Sequence, residues 1–450
     1  MEILSYYTPL TIYIFGIIVA LLTILVKTEI GLVYLVLFLP LQNILQKIQA
    51  FPFGNQFVDI LVLSVIIGWL FRGRSENGKI FVRTSLNLPI FLYIIIMYIS
   101  LWWGSFNLGI DLPTSLSNPR LQDWKNLVLL PILYFITVNN IKDQKWMKII
   151  MVVALFSIFL TDVFFFREFR WVKQWHYTHD MRVSGPFSYL GPNELGAFFA
   201  QYGLLVIGLF LFAKRRLERI LFGLISIFTF YCLMYSFSRA GYFAFPIGLA
   251  FLLFFKSKKL LIAFIILLFL SPALLPQSVM ERIQMSTLSE EQKAEIEMSQ
   301  SEKQGLYSNA TPMFDPSAQG RFELWKDALK LFTGSPILGV GFRNYRLIRG
   351  LDTHNNFFKT LAEGGIIGFF IYIYLYYLAF KSGWQLYRKS EEQHLKGLGL
   401  GFAACVIANI ICNFTHDNWT YLNLMGLYWV VLALVVRVRI MMEKNILANA

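Results

Sequence analysis

The sequence breaks again and again into uninterrupted apolar runs, at about 8–26, 30–46, 57–71, 87–103, 126–139, 149–166, 195–213, 220–237, 240–255, 260–275, 364–380, 396–413 and 420–436. Crossing a hydrocarbon core of about 30 Å takes about 20 helical residues, and most of these runs approach that length. With no water there to satisfy backbone N–H and C=O groups, a crossing segment must be helical or belong to a closed barrel. Barrel strands are short and alternate in polarity, whereas these runs are continuous. The pattern therefore predicts an all-α polytopic membrane protein with 12 or 13 transmembrane helices. The run at 126–139 is short and holds Pro131, so it must begin earlier or tilt. Only Lys27, Thr28 and Glu29 part the first two runs, which leaves the side of the N-terminus open.

Charge is scarce and bunched between the runs. Only 15% of residues are charged, yet 40 Lys and Arg face 27 Asp and Glu, a formal net charge of +13. In a water-soluble chain this excess would suggest a nucleic-acid partner. Here the basic clusters recur at every second run boundary: Arg72/Arg74/Lys79/Arg83, Lys142/Lys145/Lys148, Lys214/Arg215/Arg216/Arg219, Lys256/Lys258/Lys259, Lys381/Arg388/Lys389 and Arg437/Arg439. That is the signature of loops retained in the cytoplasm, so no nucleic acid is implied. The C-terminus is then cytoplasmic, and the loops 104–125, 167–194 and 276–363 lie outside. Three parts follow: transmembrane helices 1–10 over 1–275, a large periplasmic loop over 276–363, and C-terminal transmembrane helices over 364–450. The three cysteines, Cys232, Cys405 and Cys412, lie inside apolar runs, so no disulfide framework supports the outer loops. The first run lacks a basic flank and a small-residue cleavage site, and reads as a first membrane helix.

The large loop changes character along its length. Residues 292–304 are polar, the composition of a solvated helix or a disordered stretch. Residues 321–332 (RFELWKDALKLF) carry Phe322, Leu324, Trp325, Ala328, Leu329 and Phe332 at helical spacing. A Gly/Pro-punctuated turn, GSPILGVGFRNY, follows.

Against this background a few residues carry chemistry. Arg239, in SFSRAGYF, is the sole charged residue between Arg219 and Lys256. It is either a snorkelling arginine at a helix end or an anion ligand, with Gly241 allowing close backbone approach. In DTHNNFFKTLAEGGIIG, His354, Phe358, Leu361 and Gly365 fall on one face of a helix that Asp352 or Thr353 would cap. His354 would then meet the positive end of the helix dipole, which disfavours imidazolium and suits a general base. A lone histidine is more often structural. Near 182–200, Pro192, Asn193 and Glu194 read as a helix start, with Arg182 adding an outer cation. Arginine suits phosphate because its planar fork donates two parallel hydrogen bonds. His176 and His179 with Asp180 lack a further ligand, so no metal site is expected, and no nucleotide-binding motif occurs.

Taken in order, Arg239 with Ser238, Arg321 with Trp325, the turn at 336–341, and His354-Asn355 with Gly365 and Gly368 resemble the signature of bacterial O-antigen ligases. The superfamily also holds O-antigen polymerases, and the resemblance spans roughly 180–430. It implies a cofactor-free and metal-independent, inverting glycosyltransferase on the outer face of the inner membrane. The implied donor is a glycan on undecaprenyl pyrophosphate, and a ligase's acceptor is lipid A–core oligosaccharide. A polymerase would instead use a second lipid-linked repeat. By similarity Arg239 and Arg321, with Arg182 beside them, hold the pyrophosphate and His354 activates the acceptor hydroxyl. Asp417, in FTHDNW, matches an outer-facing acid of the family, and Asn355, Trp325, Asn193, Gly365 and Gly368 support the site. A lipid or glycan flippase is the reading from another class. It would explain buried arginines but not the gathering of Arg321, His354 and Asn355 in one loop.

Overall fold

The computed structural model describes residues 2–72, 81–115, 117–170, 176–178, 181–285 and 318–449. The N-terminal helices are α1 (Glu2–Leu25), α2 (Thr28–Phe38), α3 (Gln42–Ile48), α4 (Phe57–Arg72), α5 (Asn87–Asn107), α6 (Pro119–Asn140) and α7 (Gln144–Phe169). Next come α8 (Pro192–Phe212), α9 (Arg216–Tyr235), α10 (Arg239–Lys256), α11 (Lys258–Leu274) and α12 (Gln277–Gln284). The C-terminal part holds α13 (Ala318–Gly334), α14 (Asn344–Arg349), α15 (Asn356–Lys389), α16 (Gln393–Thr415) and α17 (Leu422–Asn449). The protein is an all-α polytopic membrane protein, with no strand among the described residues. Ten of its helices are long and apolar enough to span a bilayer, and up to 12 spans result if two bent pairs are included.

Prolines explain both bends. Pro40 lies between α2 and α3, which diverge by 110°, and Pro276 lies between α11 and α12, which diverge by 100°. A proline disfavours helical backbone in the residue before it and offers no N–H of its own. The apolar runs at 30–46 and 260–275 therefore end short of a straight crossing. The short run at 126–139 starts earlier than its apolar part, at Pro119, where the Asn118 side chain caps α6 by accepting from Arg120 N and Leu121 N.

The centre of the bundle is α8, α16 and α17, which bury 83%, 78% and 83% of their apolar windows, whereas α9 buries 17%. Lipid is as apolar as leucine, so helices associate here through close packing of small residues. A Cβ on Gly208 of α8 would lie 2.4 Å from Gly401 Cα of α16, which only glycine permits.

Polar contacts sort the helix ends into two sets. Val82 N donates to Asn139 Oδ1 (2.7 Å), Arg437 Nε to Ile141 O (2.6 Å) and Lys389 Nζ to Glu443 Oε1 (3.3 Å). These ties gather the basic boundaries at one end. At the other end Lys125 pairs with Asp59 (2.5 Å), Arg343 with Asp123 (2.8 Å), and Ser188 Oγ donates to Gln46 Oε1 (2.7 Å). Every candidate site loop lies at this second end. The stretch 292–304 lies outside the described residues.

Candidate functional site

The second end is organised around a break in α15. At Gly365 the backbone turns to φ 63°, ψ −166°, which interrupts the helical hydrogen bonds. The carbonyls so released are taken up by the turn at 336–341. Val340 N donates to Ala362 O (2.8 Å), Gly341 N to Glu363 O (3.2 Å), and Ile366 N to Pro336 O (2.8 Å). A Cβ at Gly365 would stand 2.2 Å from Ile337 O, so the turn and the break exist only together. Gly368 packs against Met97 of α5, where a Cβ would come within 2.7 Å of Cε. Both glycines shape the scaffold and stand apart from His354.

The cap of α15 differs from the expectation. Neither Asp352 nor Thr353 caps it; Asn355 does, its Oδ1 accepting from Phe357 N (2.9 Å) and Phe358 N (3.2 Å). His354 therefore precedes the helix with φ 49°, and the expected face of His354, Phe358, Leu361 and Gly365 does not form. A left-handed non-glycine residue costs about 1–2 kcal/mol and persists only where its surroundings over-determine it.

Those surroundings are three clamps on residues 352–355. Trp325 of α13 donates its indole N–H to Thr353 O (3.1 Å) and stacks on Phe358, with ring centroids 5.3 Å apart. Thr353 Oγ1 donates to Asp417 Oδ1 (3.1 Å) from the α16–α17 connection. Lys359, buried in the first turn of α15, bonds to Asp352 Oδ1 (2.9 Å) and Asp417 Oδ2 (3.2 Å). Burial pushes the Asp352 carboxyl up, but the Lys359 ammonium, with Arg343 and Arg346 beyond it, outweighs this and holds it below the usual carboxylate range. Arg321 lies one helical turn before Trp325 on α13, on the side of this loop. The apolar stripe of α13 is narrower than its sequence pattern. Leu324 and Ala328 are buried, whereas Phe322 is 60% exposed and Leu329 42%.

A second cluster forms where α8 and α10 begin. Gly191 (φ 99°) turns the chain into Pro192, and Asn193 Oδ1 accepts from Arg182 Nη2. Ser238 caps α10 by accepting from Gly241 N (3.4 Å) and donates to Asn193 O (3.3 Å). This joins the turn that carries Arg239 to the start of α8. Arg239 is thus half-buried at the first position of a helix, at the end that holds the other site loops. Gly241 does not open a ligand approach as expected; its missing side chain admits Gly196 O of α8, which a Cβ would meet at 2.9 Å.

Arg282 was not singled out by its sequence. Its side chain is 4% exposed, donates from Nε to Phe237 O (3.2 Å) and lies 5.0 Å from the Tyr177 ring centroid. Arg282 and Arg182 are both charged neighbours of Tyr242. Nothing in SVMERIQM distinguishes Arg282 from a solvated residue of an amphipathic turn; the bend at Pro276 turns it inward. Tyr421, which burial pushes up to about 12, feels the charges of Glu194, Asp417 and Lys359 and so links the two clusters electrostatically. His176 pairs with Glu281 (2.7 Å), while His179 and Asp180 lie outside the described residues. Among the described residues no three His, Cys, Asp or Glu side chains form a metal-binding group.

Residues 224–373 match the family model described as O-Antigen ligase. The match supports the O-antigen ligase superfamily. Comparison with curated proteins finds no match. The matched segment runs from α9 to the middle of α15 and holds Arg239, Arg321, Trp325, His354, Asn355, Gly365 and Gly368. Arg182, Asn193 and Asp417 lie outside it, yet Asp417 and Asn193 are hydrogen-bonded to its loops. The superfamily supports a membrane glycosyltransferase of the O-antigen ligase or polymerase type.

Proposed function

We propose that the protein is an O-antigen ligase, transferring a glycan from undecaprenyl pyrophosphate to lipid A–core oligosaccharide at the outer face of the inner membrane. The observation that carries this reading is the triple clamp on 352–355. It fixes His354 in a left-handed conformation at the end of the bundle away from the basic loops. The basic end is assigned to the cytoplasm by the positive-inside rule, which puts the clamp in the periplasm.

In this reading His354 accepts the proton of an acceptor hydroxyl as its oxygen attacks the anomeric carbon. The bond from that carbon to the pyrophosphate oxygen breaks, the electron pair leaves with undecaprenyl pyrophosphate, and the anomeric centre inverts. Arg239, Arg321 and Arg182 stabilise the charge that develops on the leaving group. Arg182 Nε is buried and makes no hydrogen bond among the described residues, so it retains a donor for an oxyanion. A positioned base contributes about 10²–10⁴-fold.

Purified protein supplied with a lipid-linked glycan, with and without lipid A–core, tests the reading. Glycan joined to lipid A–core, and only when that acceptor is present, is the expected result. Longer lipid-linked glycan without added acceptor would make it a polymerase, and no transfer in either case would overturn the assignment.

A further inference from the structure

The basic end carries a feature that topology alone does not explain. Four helix termini converge there on a pocket of about 290 Å³ lined by Phe212, Phe255, Lys256, Tyr387, Arg388, Gln393 and Lys396. Its base is aromatic: the Phe212 and Tyr387 rings meet edge to face with centroids 6.2 Å apart, and Tyr387 donates to Phe255 O (3.1 Å). Lys256 Nζ lies 3.7 Å from the Phe212 ring centroid. Lys256 and Lys396 are half-buried, and Arg388 is exposed.

Arg219 adds a further positive charge against Lys256, and the carboxylates at this end pair with other cations or are exposed. Glu392 pairs with His394 (3.3 Å), Glu443 with Lys389 (3.3 Å) and Glu218 with Arg215 (3.8 Å), while Glu391 is exposed. Among the described residues none of Lys256, Arg388 and Lys396 makes an ion pair. The positive-inside rule accounts for cations at this end, but not for their convergence on one aromatic-based hollow.

We propose that this pocket binds the phosphate headgroup of an anionic phospholipid from the leaflet at the basic end. Basic pockets between helix ends on the cytoplasmic side suit such headgroups. The flank of the bundle beside it selects a lipid over a free anion. Phe255, which lines the pocket, is 37% exposed and its neighbour Phe254 52%, apolar surface beside Lys256 along which acyl chains can run while the headgroup sits among the cations. The site is independent of the transfer reaction at the opposite end.

The test titrates the full-length protein in neutral detergent with phosphatidylglycerol, with phosphatidylcholine of the same chains, or with inorganic phosphate. Lipid retention is read by native mass spectrometry and unfolding by Tm. Phosphatidylglycerol should be retained and raise Tm, whereas phosphatidylcholine and inorganic phosphate should not. The triple variant Lys256→Gln/Arg388→Gln/Lys396→Gln should weaken phosphatidylglycerol by about a hundredfold, as expected of three interfacial cations. The exposed single variant Arg388→Gln, which leaves the packed residues in place, should weaken it about fivefold. Lys214→Gln/Arg215→Gln/Arg216→Gln, at the same end but outside the pocket, should retain lipid as the wild type does. Equal losses in the two triple variants would reduce the effect to diffuse charge. Equal retention of the two lipids, or a full Tm shift from inorganic phosphate, would overturn the proposal.

Discussion

Lys359 Nζ lies 3.2 Å from Asp417 Oδ2, joining the first turn of α15 to the α16–α17 connection across 58 residues of sequence. Both side chains are buried, so the pair was desolvated on folding and is valuable chiefly because neither partner tolerates the other's loss. Asp417 spends its other oxygen on Thr353. Both oxygens thus tie it to the His354 loop, which in the proposed reaction makes Asp417 a positioning residue and not the base. Lys359→Met leaves the buried Asp417 carboxylate without its cation and should cost about 3–5 kcal/mol. The double variant Lys359→Met/Asp417→Asn should be less unstable than the sum of the two single changes. Thermal unfolding in detergent measures this, and strict additivity would mean that the pair is not coupled.

Asp352 gives the clamp a pH dependence of known sign. Lys359 depresses its folded-state pKa. The stability it contributes is therefore complete above the unfolded value of about 3.9 and is lost as the pH falls through the folded value. The Tm difference between wild type and Asp352→Asn should be constant from about pH 8 down to about pH 5 and close below about pH 4. A gap that closed between about pH 6 and pH 8 would point to a histidine instead.

Much of this molecule was legible in its sequence because hydropathy and charge act on every residue of a run. The membrane class, the early start of α6 and the position of α13 follow from them. What escaped depends on tertiary fit. Asp352 and Thr353 both looked like caps, and only the approach of Asp417 and Lys359 decided for Asn355. Gly365 looked like a member of a helical face because a helix break satisfied by residues 336–341 leaves no periodic trace. Arg282 had no signal because a bend of 100° turns it inward. Asp417 could be reached only by resemblance, yet it holds the loop.

Orientation can be read from single cysteines, since all three native cysteines are buried. Tyr189→Cys, at the site end and 66% exposed in the wild type, should react with an impermeant thiol reagent added to intact cells. Arg215→Cys, at the basic end, should react only after permeabilisation. The reverse pattern would put the clamp in the cytoplasm.

Arg239 and Arg321 differ from lysine in geometry more than in charge. If each forms a bidentate contact with the donor pyrophosphate, Arg239→Lys and Arg321→Lys should lose most of the transfer rate although the charge remains. Both alanine variants should insert normally and bind donor weakly. Full activity in the lysine variants would reduce the contacts to simple charge.

The central claim is that the imidazole of His354, and not the loop it occupies, drives transfer. Because φ is 49°, two substitutions separate these roles. His354→Gly removes the imidazole and relieves the left-handed strain of about 1–2 kcal/mol, whereas His354→Ala removes the imidazole and keeps that strain. The most direct measurement is single-turnover transfer, with donor affinity, on purified and correctly folded His354→Gly. Loss of about 10²-fold or more in rate with donor affinity nearly unchanged is the predicted result. Near-normal turnover in either correctly folded variant would contradict it and leave His354 as a residue of the fold.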